Sequence, residues 1–135
     1  MIKKTLFLFF LFFPYLVQGQ LKLNISIILK KGVDQGLILV NELHSAEFVK
    51  TKKMIKLRMR NGISVFLKAE YVEGADDYGP SGKIKLTGRV LDGNENLIKS
   101  FKDENIIIPM GDSRKIICEG SNHQIVEVTI RPELY

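Results

Sequence analysis

The chain has 135 residues, of which 20 are Lys or Arg and 15 are Asp or Glu, with one cysteine, no tryptophan and 45% hydrophobic residues. The lone cysteine, Cys118, excludes an intramolecular disulfide, and the length allows one domain around one modest core. The formal net charge of +5 falls to +3 without Lys3 and Lys4 of the first nineteen residues, which is too mild to argue for nucleic acid as a partner.

Residues 1–19 read as a secretory signal peptide, expected as a helix. Lys3 and Lys4 give a positive start, Leu6 to Phe13 form an apolar run that Pro14 breaks, and Val17 and Gly19 are small enough for a cleavage site before Gln20. The run is too short to cross a bilayer, which takes about 20 residues. The expected product is therefore exported, periplasmic or secreted, and not an integral membrane protein after cleavage. Cleavage leaves 116 residues with 18 basic and 15 acidic side chains. It also removes Phe7, Phe9, Phe10, Phe12 and Phe13, so the remaining core has to be aliphatic. Cys118 lies far from the cleavage site and offers no N-terminal lipid anchor.

From Gln20 onward the periodicity is 2. Leu21, Leu23, Ile25, Ile27 and Leu29 alternate with Lys22, Asn24, Ser26, Ile28 and Lys30, which predicts a strand buried on one face. Gly32 to Gly36 is a turn-rich break. Leu37 to Val40 and Ala46 to Lys50 are expected as two short strands, with the chain turning at Asn41 to Ser45.

The next segment lets spacing choose a register. Ile55, Leu57 and Met59 face one way and Lys56, Arg58 and Arg60 the other, and the apolar set resumes at Ile63, Val65, Leu67 and Ala69. A two-residue Asn-Gly loop would put Ile63 and Val65 on the arginine face. A three-residue loop, Arg60 to Gly62, pairs Met59 with Ile63, Leu57 with Val65 and Ile55 with Leu67, so a type I turn ending in a left-handed Gly62 is expected.

Gly74 to Gly82 has three glycines and Pro80 and no periodicity, which predicts a loop between two halves of the domain. Lys83 to Leu91 alternates again, with Ile84, Leu86, Gly88 and Val90 on one face. A four-residue loop from Asp92 to Glu95 would set Val90 against Leu97 and Leu86 against Phe101. Asn105 to Pro109, Arg114 to Cys118 and His123 to Arg131 complete the strands, and Pro132 is expected to end the last one. An offset of 68 residues sets Ile38–Asn41 on Ile106–Pro109 and Phe48-Val49 on Ile116-Ile117, which suggests pseudo-repeat halves 20–73 and 83–135. The expected fold is all-β, an antiparallel β-sandwich of about eight to ten short strands, with a small barrel as the alternative.

Few residues are available for catalysis. The glycines at 74, 79 and 82 are not followed by Gly-Lys-Ser/Thr, and no Gly-x-Ser-x-Gly occurs. Asp112 and Ser113 are adjacent on a turn, where they are expected to bond nearby backbone. Zinc needs three or four ligands, and only the fold could bring His44, His123, Cys118, Asp112 or Glu42 together. Asp76 and Asp77 lack the spacing of a calcium loop. Cys118, within Ile116-Ile117-Cys118, is expected as a packing residue. The glycosylation tripeptide Asn24-Ile25-Ser26 sits inside the best strand and carries no weight. No cofactor, metal or catalytic residue is expected.

The most specific surface feature runs from Lys50 to Arg60. If Ile55, Leu57 and Met59 point inward, Lys56, Arg58 and Arg60 form a cationic row about 7 Å apart along one strand. Such a row suits an anionic glycan, lipid headgroups or an acidic partner, or it guards a sheet edge against pairing. The expected function is a non-enzymatic, exported β-domain that binds an envelope or extracellular protein or an anionic glycan, through this row or an open sheet edge. The alternative is an inhibitor or ligand-binding module acting through the 74–82 loop, with Tyr78 at its centre.

Overall fold

The computed structural model describes residues 20–72, 82–121 and 123–135. The leader and the 74–81 portion of the glycine loop, Tyr78 included, lie outside them. The described residues form nine antiparallel strands in two sheets and no helix.

The four-stranded sheet contains β1 (Leu21–Val33), β2 (Gly36–Val49), β8 (Arg114–Glu119) and β9 (Gln124–Leu134), in the order β2-β1-β9-β8. The other sheet runs β3 (Met54–Arg58), β4 (Ser64–Tyr71), β5 (Lys83–Leu91), and both β6 (Leu97–Ser100) and β7 (Ile106–Pro109) pair with the far side of β5. The alternation of β1 is read out directly: Leu21, Leu23, Ile25, Ile27 and Leu29 are buried, and the intervening residues are half-exposed. Each such side chain removed from water contributes about 1.5–3 kcal/mol. Ile27, Val126, Val128 and Ile130 from one sheet join Val65, Leu67, Ile84, Leu86 and Ile108 from the other in a single aliphatic cluster.

The three-residue turn forms as expected. Ile55 pairs with Leu67 and Leu57 with Val65, the Met59 amide donates to the Ile63 carbonyl at 2.8 Å, and Gly62 takes φ +93°. Four other expectations are corrected. No turn interrupts residues 41–45, because β2 is one strand of 14 residues. A bulge pairs Leu29 with Asn41 and Lys30 with Leu39, leaving Val40 as the extra residue. That shift inverts the inside-outside phase along β2, and the broken alternation imitates a break in the strand.

The β5–β6 connection spans residues 92–96 rather than 92–95, and a second bulge sets Val90 against Lys99 and Leu91 against Leu97. The Asp92 carboxylate accepts the amides of Asn94 (2.8 Å) and Asn96 (2.9 Å), which holds the longer loop closed. Phe101 does not oppose Leu86. Its amide donates to the Gly88 carbonyl, and its ring lies where a Gly88 side chain would stand. A Cβ on Gly88 would come within 2.0 Å of the Phe66 carbonyl and 2.8 Å of Phe101 Cζ, so the glycine makes room for the one phenylalanine buried among the described residues.

Pro132 does not end the last strand. It pairs with Leu23, and its carbonyl accepts the Gly111 amide at 2.7 Å on the side where β8 has already stopped. A residue in an antiparallel ladder directs its N–H and C=O to the same side. The missing proline N–H therefore falls beyond β8 and costs no ladder bond. Finally, the strands are not uniformly short, since β1, β2 and β9 have 13, 14 and 11 residues. The 68-residue offset sets the single strand β2 against β7 and β8, which belong to different sheets.

Candidate functional site

The ladder pairing lays out the outer face of the five-stranded sheet rung by rung. Lys56, Phe66, Arg89 and Ser100 are side by side across β3, β4, β5 and β6, and Arg58, Ser64, Leu91 and Leu97 make the next rung. On the other side of Lys56 come Met54, Lys68 and Thr87, followed by Glu70, Lys85 and Ile107, and Lys83 with Pro109. The inward neighbours Val65, Leu67, Ile84, Leu86 and Val90 are buried in the core, which forces the cations outward.

Lys56, Arg58, Lys68, Lys83, Lys85 and Arg89 thus share a face on which the strand positions offer one acid, Glu70. Glu70 lies 3.9 Å from Lys68 Nζ, a long and half-exposed contact that contributes little. Phe66 is the centre of the array. Lys56 Nζ is 5.5 Å from its ring centroid and Arg89 Cζ is 4.4 Å from it. Such cation–π contacts are worth about 0.5–1 kcal/mol when exposed. They hold two cations on either side of an aromatic platform.

Of the residues singled out from sequence, Lys56 and Arg58 are on β3, outward and exposed, and Arg60 is exposed in the turn that follows. Sequence reasoning missed Lys68, Lys83, Lys85 and Arg89. The signal was present in the alternation of Lys83-Ile84-Lys85-Leu86, where attention to the buried residues left the outward ones unread. The register of the three-residue turn already sets Phe66 opposite Lys56, whereas Arg89 reaches Phe66 only through the pairing of β4 with β5, which spacing along the chain does not reveal.

The outer face of the four-stranded sheet is different in kind. Lys30 pairs with Glu127 at 3.1 Å, Arg131 with Glu133 at 2.8 Å, and His44 lies 3.6 Å from Glu42. At one end Phe48 meets Tyr135 edge-on, with centroids 5.3 Å apart, and Lys22 Nζ sits 5.1 Å from the Tyr135 ring. Between these groups the short side chains Asn24, Ser26, Ala46 and Thr129 leave an open depression of about 510 Å³, which His44 and Ser113 also border.

The remaining candidates disperse. His44 is opposite Ser26, whereas the His123 carbonyl takes the amide of Gly32. Six residues of β1 separate those two points, about 20 Å along an extended strand. Among the described residues no group of three or more His, Cys, Asp or Glu could hold a metal ion. Cys118 is fully buried, and desolvation pushes its thiol up to about 11, which suppresses the reactive thiolate.

The open edges also contrast. The β3 edge carries Lys56 and Arg58. The β2 edge has neither Lys nor Pro, and its residues Leu37, Ile38, Leu39 and Val40 are all exposed. No protein family, curated protein or solved structure matches this chain.

Proposed function

We propose that this chain is an exported, non-enzymatic β-sandwich that binds an anionic partner at the cell envelope or outside the cell, through the outer face of β3, β4 and β5. The observation that carries the reading is where the cations stand. Edge protection accounts for Lys56 and Arg58, which lie on the edge strand β3. It does not account for Lys68, Lys83, Lys85 and Arg89, because β4 and β5 are interior strands whose edges are already paired.

The charge balance strengthens this. Residues 20–135 hold 18 basic and 15 acidic side chains, whereas the strand face alone carries six cations and one acid. Of the 12 acids among the described residues only Glu70 stands on this face, which holds six of the 18 cations, so most of the described surplus of +6 is concentrated on one side. A field of that shape steers an anionic partner to one surface. Export is supported by the run from Lys3 to Gly19, and a sandwich by the single core that both sheets share.

The test is binding of the purified protein to dextran sulfate, with neutral dextran as the control. Charge reversal by Lys85→Glu with Arg89→Glu is expected to weaken capture strongly, while Lys31→Glu with Lys115→Glu on the other sheet, an equal change in net charge, leaves it nearly intact. Equal loss from both changes would point to net charge alone and defeat the face assignment. N-terminal sequencing of exported material is expected to begin at Gln20.

A further inference from the structure

Three features outside the core invite a ligand: the depression on the four-stranded sheet, the apolar half of the β2 edge, and the basic face. The depression is formed by short side chains and open to solvent, and nothing among the described residues shows what covers the β2 edge. The basic face carries an inference about the shape of its partner.

We propose that this face docks on the surface of an anionic lipid bilayer. The proposal rests on the reading of the face as the binding surface, and it names the partner's class.

The first argument is dimensional. The cations do not lie in one line. Lys56 and Arg58 stand on β3, Lys68 on β4, and Lys83, Lys85 and Arg89 on β5. With strands about 4.8 Å apart and same-face residues about 7 Å apart, the array covers about 10 Å across the sheet and about 28 Å along it. A single polyanionic chain laid diagonally across the sheet meets Lys83, Lys85, Lys68, Lys56 and Arg58 and leaves Arg89 outside its path. A planar anionic surface meets all of them at once. Long, flexible Lys and Arg side chains absorb the twist of the sheet beneath.

The second argument concerns the apolar residues mixed into the array. Met54 follows Lys56 outward on β3 and is 46% exposed, and Leu97 ends the Arg58 rung on β6 and is 60% exposed. They flank the face on opposite edges, with Phe66 between the cations at its centre. A hydrated polyanion offers exposed Met and Leu nothing. The interfacial layer of a bilayer presents phosphates at the level of the cations and acyl chains just below, where shallow apolar side chains gain by leaving water.

The experiment is co-sedimentation of protein recovered from expression of the full chain. Vesicles of phosphatidylcholine alone are compared with vesicles of equal parts phosphatidylcholine and phosphatidylglycerol, and dextran sulfate capture is measured in parallel. Binding to the anionic vesicles only is expected, falling by at least about tenfold with Lys85→Glu and Arg89→Glu, since each cation near the surface contributes to partition. Met54→Ser with Leu97→Ser is expected to weaken vesicle binding several-fold while leaving dextran sulfate capture unchanged. All these positions face outward, and circular dichroism confirms that the variants fold.

Capture of dextran sulfate without binding to anionic vesicles would overturn the bilayer proposal and leave the basic-face reading standing. Equal binding to neutral and anionic vesicles, or anionic-vesicle binding indifferent to the charge reversal, would also overturn it. Failure to bind either vesicles or dextran sulfate in a charge-dependent way would overturn both.

Discussion

The two sheets are built from the same kind of strand, aliphatic inward and polar outward, yet their outer faces carry charge in opposite ways. On the four-stranded sheet, cations and acids alternate and meet: Lys30 with Glu127, Arg131 with Glu133, and Lys22 against the Tyr135 ring. On the five-stranded sheet, Lys56 and Arg89 flank Phe66, Lys85 is opposite Glu70, and among the described strand positions Glu70 is the one acid against six cations. Gathering cations on one face with a single acid costs some stability through their mutual repulsion. The fold needs no such arrangement, because the first sheet solves the same solubility problem with paired charges. The cost is therefore informative about the second face.

The comparison can be broken most severely through the core that both sheets share. Ile27→Ala in the four-stranded sheet and Leu67→Ala in the five-stranded sheet each leave a cavity among fully buried neighbours and are expected to cost about 3 kcal/mol apiece. Urea denaturation checks this, and a single cooperative transition in both variants would confirm that the sheets unfold together. A much smaller loss from either would mean that its sheet is the less tightly packed.

Next in size is Gly88→Ala. The new methyl would stand 2.0 Å from the Phe66 carbonyl and displace the Phe101 ring, so destabilisation by about 2 kcal/mol or more is expected. Because Phe66 organises Lys56 and Arg89, this variant should also weaken anion binding, by no more than removal of the Phe66 ring does, whereas Ile27→Ala should not beyond its effect on stability.

Phe66→Ala sharpens the comparison itself. Loss of both cation–π contacts is expected to cost about 1–2 kcal/mol of stability and to weaken anion binding by less than charge reversal does, since the cations remain. By contrast, Lys30→Ala or Arg131→Ala breaks one partly exposed pair, worth at most about 1 kcal/mol, and anion binding is expected to be unchanged.

The smallest effects are titrations. The backbone amide of Asn96, with that of Asn94, holds the Asp92 carboxyl below its ordinary value. A depressed carboxylate pKa contributes stability above the unfolded value, lost as pH falls through the folded one. Asp92→Ala should therefore flatten the acid limb of a stability profile. Cys118 acts at the other extreme. Burial raises its thiol from 9.0 to about 11, so between those values the unfolded chain ionises first and stability falls with rising pH. Cys118→Ala should remove that decline, and thiol-reactive reagents should label the native protein slowly below pH 9.

Much of the frame was legible from residue order alone. The alternation of β1 named its buried face correctly at all five positions, and matching apolar positions across Asn61-Gly62 selected the correct turn. What escaped were places where the two-residue rhythm changes phase. The bulge at Val40 reads as a break, the bulge beside Leu91 hides the true partner of Leu97, and Pro132 reads as a stop until its neighbour β8 is known to end short. The candidate site was half legible: Lys56 and Arg58 lie along one strand, Arg60 falls in the turn after it, and the rest of the array lies across other strands.

Residue order by itself determined which side of each strand faces oil and which faces water, because side-chain direction alternates with every residue whatever the partner strand. It also fixed the lone thiol, the leader-like start and the cations of β3. Tertiary structure decided who stands next to whom. Pairing β3, β4 and β5 set Phe66 between Lys56 and Arg89 and gathered a scattered basic surplus onto one face, since neighbours across a sheet are chosen by register and strand order, and the distances along the chain do not contain them.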